Sequence, residues 1–258
     1  MKKVLYIWCV FALLAFVGCS SDKDDWGDSS QDVNSKNEEI FLAQANMEPE
    51  FSKGYRSSRG QDTSFTDKNN AEVTRDCNGV VKFVYFNNTP TNSRPPSPEQ
   101  FVSTYLGVDL NANFKKYQEE VNEYGYIHSW YRQYYKDVEV ENHGYVFHYS
   151  KKDKRISSVN GSFLPVSNLD VVPAFSETTA RKIFAKYLNL SLDYIGDDVS
   201  LYIVEFPLSA ESEQWAPRLV YKLGTDYDSD EGLCYIDAKT GRILYVWPNY
   251  RRESIIFL

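Results

Sequence analysis

Residues 128–140, HSWYRQYYKDVEV, and residues 158–165, SVNGSFLP, decide the fold. The first stretch continues a run from Tyr126 to Tyr135 that is dense in aromatic rings, the composition of a strand. Between the two, Tyr145, Phe147 and Tyr149 alternate with Val146 and His148, the two-residue period of a strand. Lys151, Lys152, Asp153 and Lys154 form a polar turn. The chain returns from Arg155 to Leu164 with Ile156, Val159 and Phe163 apolar, and Asn160-Gly161 inside that run marks a bulge or tight bend. Strands joined in this way predict an antiparallel meander.

Outward from the meander the pattern repeats with helices added. Val80 to Phe86 reads as a strand, and residues 87–97, with three prolines, as a loop. Ser97 followed by Pro98 has helix-start chemistry, and Phe101, Tyr105 and Leu106 give that helix an apolar stripe. Ser176 caps a second helix along which Ala180, Ile183, Phe184, Tyr187 and Leu188 recur at helical spacing. Strands follow at Leu201 to Phe206, Arg218 to Leu223, Leu233 to Asp237 and Arg242 to Trp247. Asp237 to Gly241 turns the last hairpin, with Gly241 free to take positive φ. The expected class is α+β, with antiparallel curved sheets each covered by a helix.

The N-terminus carries an address. Lys2 and Lys3 precede an apolar run from Val4 to Val17, too short to span a bilayer, which reads as an export signal. Phe16-Val17-Gly18-Cys19 resembles the site cut by the lipoprotein signal peptidase, which implies lipid on Cys19 and firm membrane anchoring. The acidic stretch after Cys19 resembles the surface-export signal of Bacteroides-group lipoproteins. The implied location is the outer membrane of a Gram-negative bacterium, facing the cell surface or the periplasm. Residues 1–18 are the expected signal, 19–70 a polar tether, 71–170 and 171–250 two subdomains, and 251–258 a tail. A short helix within the tether, from Asn37 to Ala45, would share Ile40, Phe41 and Ala45 on one face.

The 258-residue chain has 28 basic and 36 acidic side chains, a net charge of −8. An acidic surface argues against nucleic acid as a partner. After removal of the signal, Cys77 and Cys234 remain beside Cys19. A Cys77–Cys234 disulfide would tie the start of the body to its end, and two separate buried thiols are the alternative.

The two quoted stretches resemble the fungalysin/thermolysin-type propeptide. His128, Gln133, Tyr134, Val140, Asn160, Gly161 and Pro165 match its pattern, and Asp137 and Glu139 depart from it in the turn. Residues 176–247 are similar to the PepSY-like half that follows in such propeptides, most sharply at 235–244, YIDAKTGRIL, with Asp237 and Gly241. The resemblance implies a module that chaperones and inhibits a zinc metalloprotease. The expected function is therefore non-enzymatic, with no cofactor and with a secreted or envelope protease as partner. A remnant of a split or truncated protease precursor and a glycan- or peptide-binding lipoprotein are the alternatives.

Chemistry is sparse in the remaining sequence. No His-Glu-x-x-His zinc motif and no Gly-x-Ser-x-Gly elbow occurs. His128, His143 and His148 are the three histidines, and packing or hydrogen bonding is their expected role. Asp226, Asp228, Asp230 and Glu231 crowd one loop but lack the glycine and glutamate positions of a calcium loop. Tyr126, Trp130 and Tyr134 share one strand parity and read as core, or, if exposed, as a sugar platform. The segment Tyr245 to Leu258 could add as a strand to a protease cleft.

Overall fold

The computed structural model describes residues 37–51, 61–209, 212, 214–225 and 232–247. Cys19, the signal, the 226–231 acidic loop and the tail beyond Trp247 lie outside the described residues. The fold is α+β. Its strands are β1 (Thr63–Thr66), β2 (Glu72–Arg75), β3 (Val81–Tyr85), β4 (Phe114–Val121), β5 (Ile127–Tyr135), β6 (Val138–Tyr149) and β7 (Ile156–Ser162). A second group comprises β8 (Ser200–Pro207), β9 (Trp215–Leu223), β10 (Leu233–Asp237) and β11 (Ile243–Trp247). All eleven join one sheet in the order β1-β2-β3-β7-β6-β8-β9-β10-β11, with β5 on β6 and β4 on β5. The sequence pointed to separate sheets; the structure joins them through β6.

That strand has two partners along one edge. Gly144 to Tyr149 pair antiparallel with β7, whereas Glu139 and Val140 pair in parallel with Tyr202 and Ile203 of β8. On its other edge β6 forms a hairpin with β5, in which Arg132 faces Gly144 but Tyr134 faces Glu139. Two residue steps of β5 therefore match five of β6, and the excess is a bulge at residues 140–143. Asn142 takes φ 60° within it, a conformation asparagine tolerates better than most residues. The bulge ends where Gly144, at φ 154°, meets the neighbouring backbone: a Cβ there would sit 2.0 Å from the Tyr131 carbonyl oxygen. Gly161 of β7 repeats the close approach, its Cβ position lying 2.0 Å from the Gly144 carbonyl oxygen.

Residues 37–43 form helix α1, followed by a 3-10 turn, Gln44–Asn46. α2 (Pro98–Phe101) runs into a single π-helical turn, Val102–Leu106, stopped by Gly107 at φ 70°, and α3 (Leu110–Asn113) follows. Phe101 packs edge-on to Phe147 at 5.5 Å between ring centres, within a core that holds Tyr145, Ile156 and Val159. The expected helix after Ser97 is thus present but changes pitch after one turn.

α4 (Glu177–Leu188) starts where the Ser176 hydroxyl accepts the Thr179 amide and ends at Asn189 in the left-handed region. Ile183 and Phe184 are fully buried with Val140, Ile203 and Ile236 in a second core. Burying a side chain of that size contributes about 1.5–3 kcal/mol.

One expectation is corrected. Part of the presumed tether is docked: Ala45 and Phe51 are buried, Phe51 stacks on Phe206 at 5.5 Å, and Phe41 touches Phe175 at 4.6 Å. The Glu50 and Phe51 amides donate to the carbonyls of Ile243 and Leu244. A polar average over residues 19–70 conceals these few apolar anchors; Ile40, also expected to be one, is 62% exposed. β1 lies in that same stretch and β4 in one that carries no strand signal, because their residues are exposed throughout, apart from Phe114, and lack the alternation that marks a half-buried strand.

The β5–β6–β7 approach predicts a graded glycine series. Gly144→Ala and Gly161→Ala each require backbone displacement and are expected to destabilise by about 3 kcal/mol or more. Gly79→Ala, at φ 80° with open space around it, should cost about 1 kcal/mol. Urea denaturation of the three variants checks the order, and equal midpoints would contradict it.

Candidate functional site

The propeptide-like positions act first as structural devices. Gln133, 1% exposed, donates its amide to the Leu164 carbonyl at 2.6 Å and accepts the Leu164 N–H at 2.9 Å. Its side chain replaces a missing strand where β7 has ended, directly before the exposed Pro165. Val140 is fully buried at the β6–β8 contact. Asp237 accepts the amides of Lys239 and Thr240 at 2.9 Å, and Gly241 closes that turn at φ 74° against Phe41.

His128 and Asn160 belong to a chain of four polar side chains. Asn122 Oδ1 accepts the amides of Tyr124 and Tyr126, at 3.1 and 2.9 Å, which fixes its amide orientation. Its Nδ2 therefore donates to His128 Nε2 at 3.2 Å. His128 then carries its proton on Nδ1 and donates to His148 Nδ1 at 2.6 Å. His148 in turn donates from Nε2 to Asn160 Oδ1 at 2.5 Å. Every link is satisfied with both imidazoles neutral, and an added proton would set two donors against each other. Burial, chiefly, holds the His148 pKa below its ordinary 6.5; the Asn160 bond opposes that shift and His128 adds to it.

The three histidines do not converge. His143 turns its Nδ1 to the Glu141 carbonyl within the β6 bulge, and among the described residues no group of three or more potential ligands forms a metal site. Cys77 is an exposed free thiol in the β2–β3 turn, and Cys234 is a free thiol buried in the second core. Burial raises the Cys234 pKa, which disfavours its thiolate.

The aromatic stripe also lies outside the cores. Tyr131 and Tyr135 face the helices, whereas Tyr126, Trp130 and Tyr134 join none of the buried clusters. Tyr126 is 45% exposed. Parity alone leaves the choice of face open, since both parities of β5 are apolar.

The cleft at the β6 bulge escapes sequence reading. Glu141, 8% exposed, is bonded through Oε1 to the Lys222 ammonium and to the Tyr235 hydroxyl, the latter at 3.1 Å. Lys222 also lies over the Tyr202 ring at 5.3 Å. The second oxygen, Glu141 Oε2, is buried without a hydrogen-bond partner. A buried acceptor left so costs about 1–3 kcal/mol. Glu141 lines two adjoining cavities of about 380 and 390 Å³. One of them joins Trp130 and Asn160 of the first half to Tyr202 and Lys222 of the second. Glu141 stands 81 positions from Lys222 and 94 from Tyr235 in sequence, and its local signal is only the alternation of valine and glutamate at the start of β6.

Comparison with known proteins falls on this same segment. Residues 112–163 match the fungalysin/thermolysin propeptide motif. The matched span runs from the end of α3 through β7, so it holds Gln133, the histidine pair, the bulge and Glu141. Among solved structures, the C-terminal domain of YpeB from Bacillus megaterium aligns at a TM-score of 0.33 and 12% identity, covering 84% of this chain and 96% of that one. A likeness of that depth bears on neither fold nor function. No curated protein matches the sequence.

Two predictions follow from the motif geometry. Gln133→Leu leaves the Leu164 amide and carbonyl without partners and is expected to lower unfolding free energy by about 2–4 kcal/mol, read by chemical denaturation. For His148 the folded pKa lies below the unfolded one, so its contribution is complete above about pH 6.5 and is lost as pH falls through the folded value. Thermal midpoints should therefore drop below pH 6.5, and His148→Gln should flatten that drop. An unchanged slope in the variant would assign the pH dependence elsewhere.

Proposed function

We propose that the chain is a non-catalytic, propeptide-like lipoprotein that binds a secreted or envelope protease, foremost a metalloprotease, and inhibits it or assists its folding. The match of residues 112–163 to the propeptide motif carries this reading. The side chains of Gln133, Val140 and Asp237 support it, because they are engaged in folding the module and not turned towards a reaction. Lipid on Cys19 holds the module at the outer membrane in this reading. Residues 171–250 act as its PepSY-like second half.

One observation favours a second reading, a glycan- or peptide-binding lipoprotein. Trp130 shares the face away from the helices with Tyr117, Phe83 and Tyr85, and the latter three are exposed. Aromatic rings on an open sheet suit stacking against a sugar or an extended chain.

The test uses the full mature chain in detergent, exposed to the secreted and envelope proteins of its own host. A retained metalloprotease whose peptidase activity, or refolding yield, changes saturably with added chain is the expected result. Retention of glycan in place of any peptidase, or peptidase activity that stays constant while the chain is digested, would overturn the proposal.

A further inference from the structure

We infer that the hollow over Gly144, between Trp130 and Tyr202, is a binding site for one neutral pyranose ring of a glycan. The inference goes beyond the protease reading and rests on the second one, which it narrows to a sugar at a defined place.

The backbone makes the hollow. Trp130, Val146 and Asn160 stand directly opposite one another on β5, β6 and β7. Tyr145 and Phe147, on either side of Val146, belong to the core around Phe101, so this row faces away from that core. The next row on the same face holds Arg132, Gly144 and Ser162. Gly144 puts no side chain into it, and the row is vacant at its centre. Beyond the bulge Glu139 pairs with Tyr202, while Val140 and Ile203 beside them turn into the second core. Both sides line a cavity of about 390 Å³, within the usual range of ligand pockets, about 300–1,000 Å³.

The lining has the chemistry of a neutral, hydroxyl-rich ring. Arg132 donates to Glu139 at 3.2 Å, and Lys222 donates to Glu141. These two cations and two carboxylates balance one another within the described lining. A charged ligand has to break one of the pairs, whereas a hydroxyl both donates and accepts and can bond to an ion pair without separating it. Asn160 adds a directed donor, because its Oδ1 accepts from His148 Nε2 and leaves Nδ2 to offer. Trp130 supplies the apolar platform, a ring face whose negative charge suits the carbon-bound hydrogens of a pyranose. Arg132 lies over the Tyr117 ring at 4.4 Å and Lys222 over the Tyr202 ring at 5.3 Å, so the polar groups of the rim are held in place before any ligand arrives. A peptide bound by strand addition needs an open strand edge, and β5, β6, β7 and β8 each have neighbours on both sides.

The experiment titrates the full mature chain, in a detergent without a sugar headgroup, with the methyl glycosides of glucose, galactose, mannose and N-acetylglucosamine, followed by ligand-observed nuclear magnetic resonance. Methyl glucuronide and methyl glucosaminide are the charged counterparts, and N-acetyl-trialanine amide is the peptide probe. Saturable binding of a neutral pyranoside is expected, at about millimolar Kd for a single ring. Trp130→Ala and Glu139→Gln should each weaken it about tenfold or more, and Trp130→Phe should restore most of it. Phe83→Ala, opposite Asn160 on the same face but outside the lining, should leave binding unchanged, and urea midpoints check that the variants fold. Pyranoside binding that survives both Trp130→Ala and Glu139→Gln removes the hollow and leaves the second reading standing. Preference for a charged sugar, or binding of the peptide probe in place of any pyranoside, also overturns the inference with that reading intact. Binding of neither sugar nor peptide overturns both. The protease reading is untouched in every case, because no peptidase enters the assay.

Discussion

One constraint organises this molecule: the single strand β6 must pair along one edge with β7, which runs against it, and with β8, which runs along it. No regular ladder can hand over between opposite directions without a break. The break is the 140–143 bulge, with Asn142 in the left-handed region and Gly144 pressed to within backbone distance of β5. From it follow the joining of two cores into one sheet, the uncovered gap at residues 141–143 and the cleft around Glu141. Gln133 belongs to the same solution, because its side-chain amide ties β5 across the bulge to Leu164, just past the end of β7.

The polar groups at this junction are of two kinds. Some are closed: in the Asn122–His128–His148–Asn160 chain each imidazole nitrogen has a partner, and Gln133 satisfies both ends of its amide. Glu141 is open, with one oxygen committed and one idle. Among the described residues Thr89 Oγ1 and Arg181 Nε are likewise buried without a hydrogen-bond partner, and Glu141 also lines a cavity.

Sequence reading reached the elements whose periodicity is local. α4, the β5–β6–β7 meander and the Asp237–Gly241 turn were legible because alternation, helical spacing and turn chemistry act over a few residues. β1 and β4 were not, since an exposed strand carries no apolar alternation. The docking of residues 37–51 was hidden by composition, because Phe41 and Phe51 are two rings in a long polar stretch. His128 and Asn160 were visible as motif positions, yet their partnership through His148 depends on cross-strand register. The cleft was invisible for a stronger reason: β6, β9 and β10 bring Glu141, Lys222 and Tyr235 together from positions 81 and 94 residues apart.

The central claim is that this chain meets a protease partner through the surface created at the β6 junction. Hydrogen exchange of the full mature chain, free and bound to the captured protease, tests it most directly. The account predicts slowed exchange at residues 139–145, 202–206 and 235–245, with the amides of α4 unchanged. Protection confined to the Tyr117–Trp130 face, or none at the junction, would contradict it.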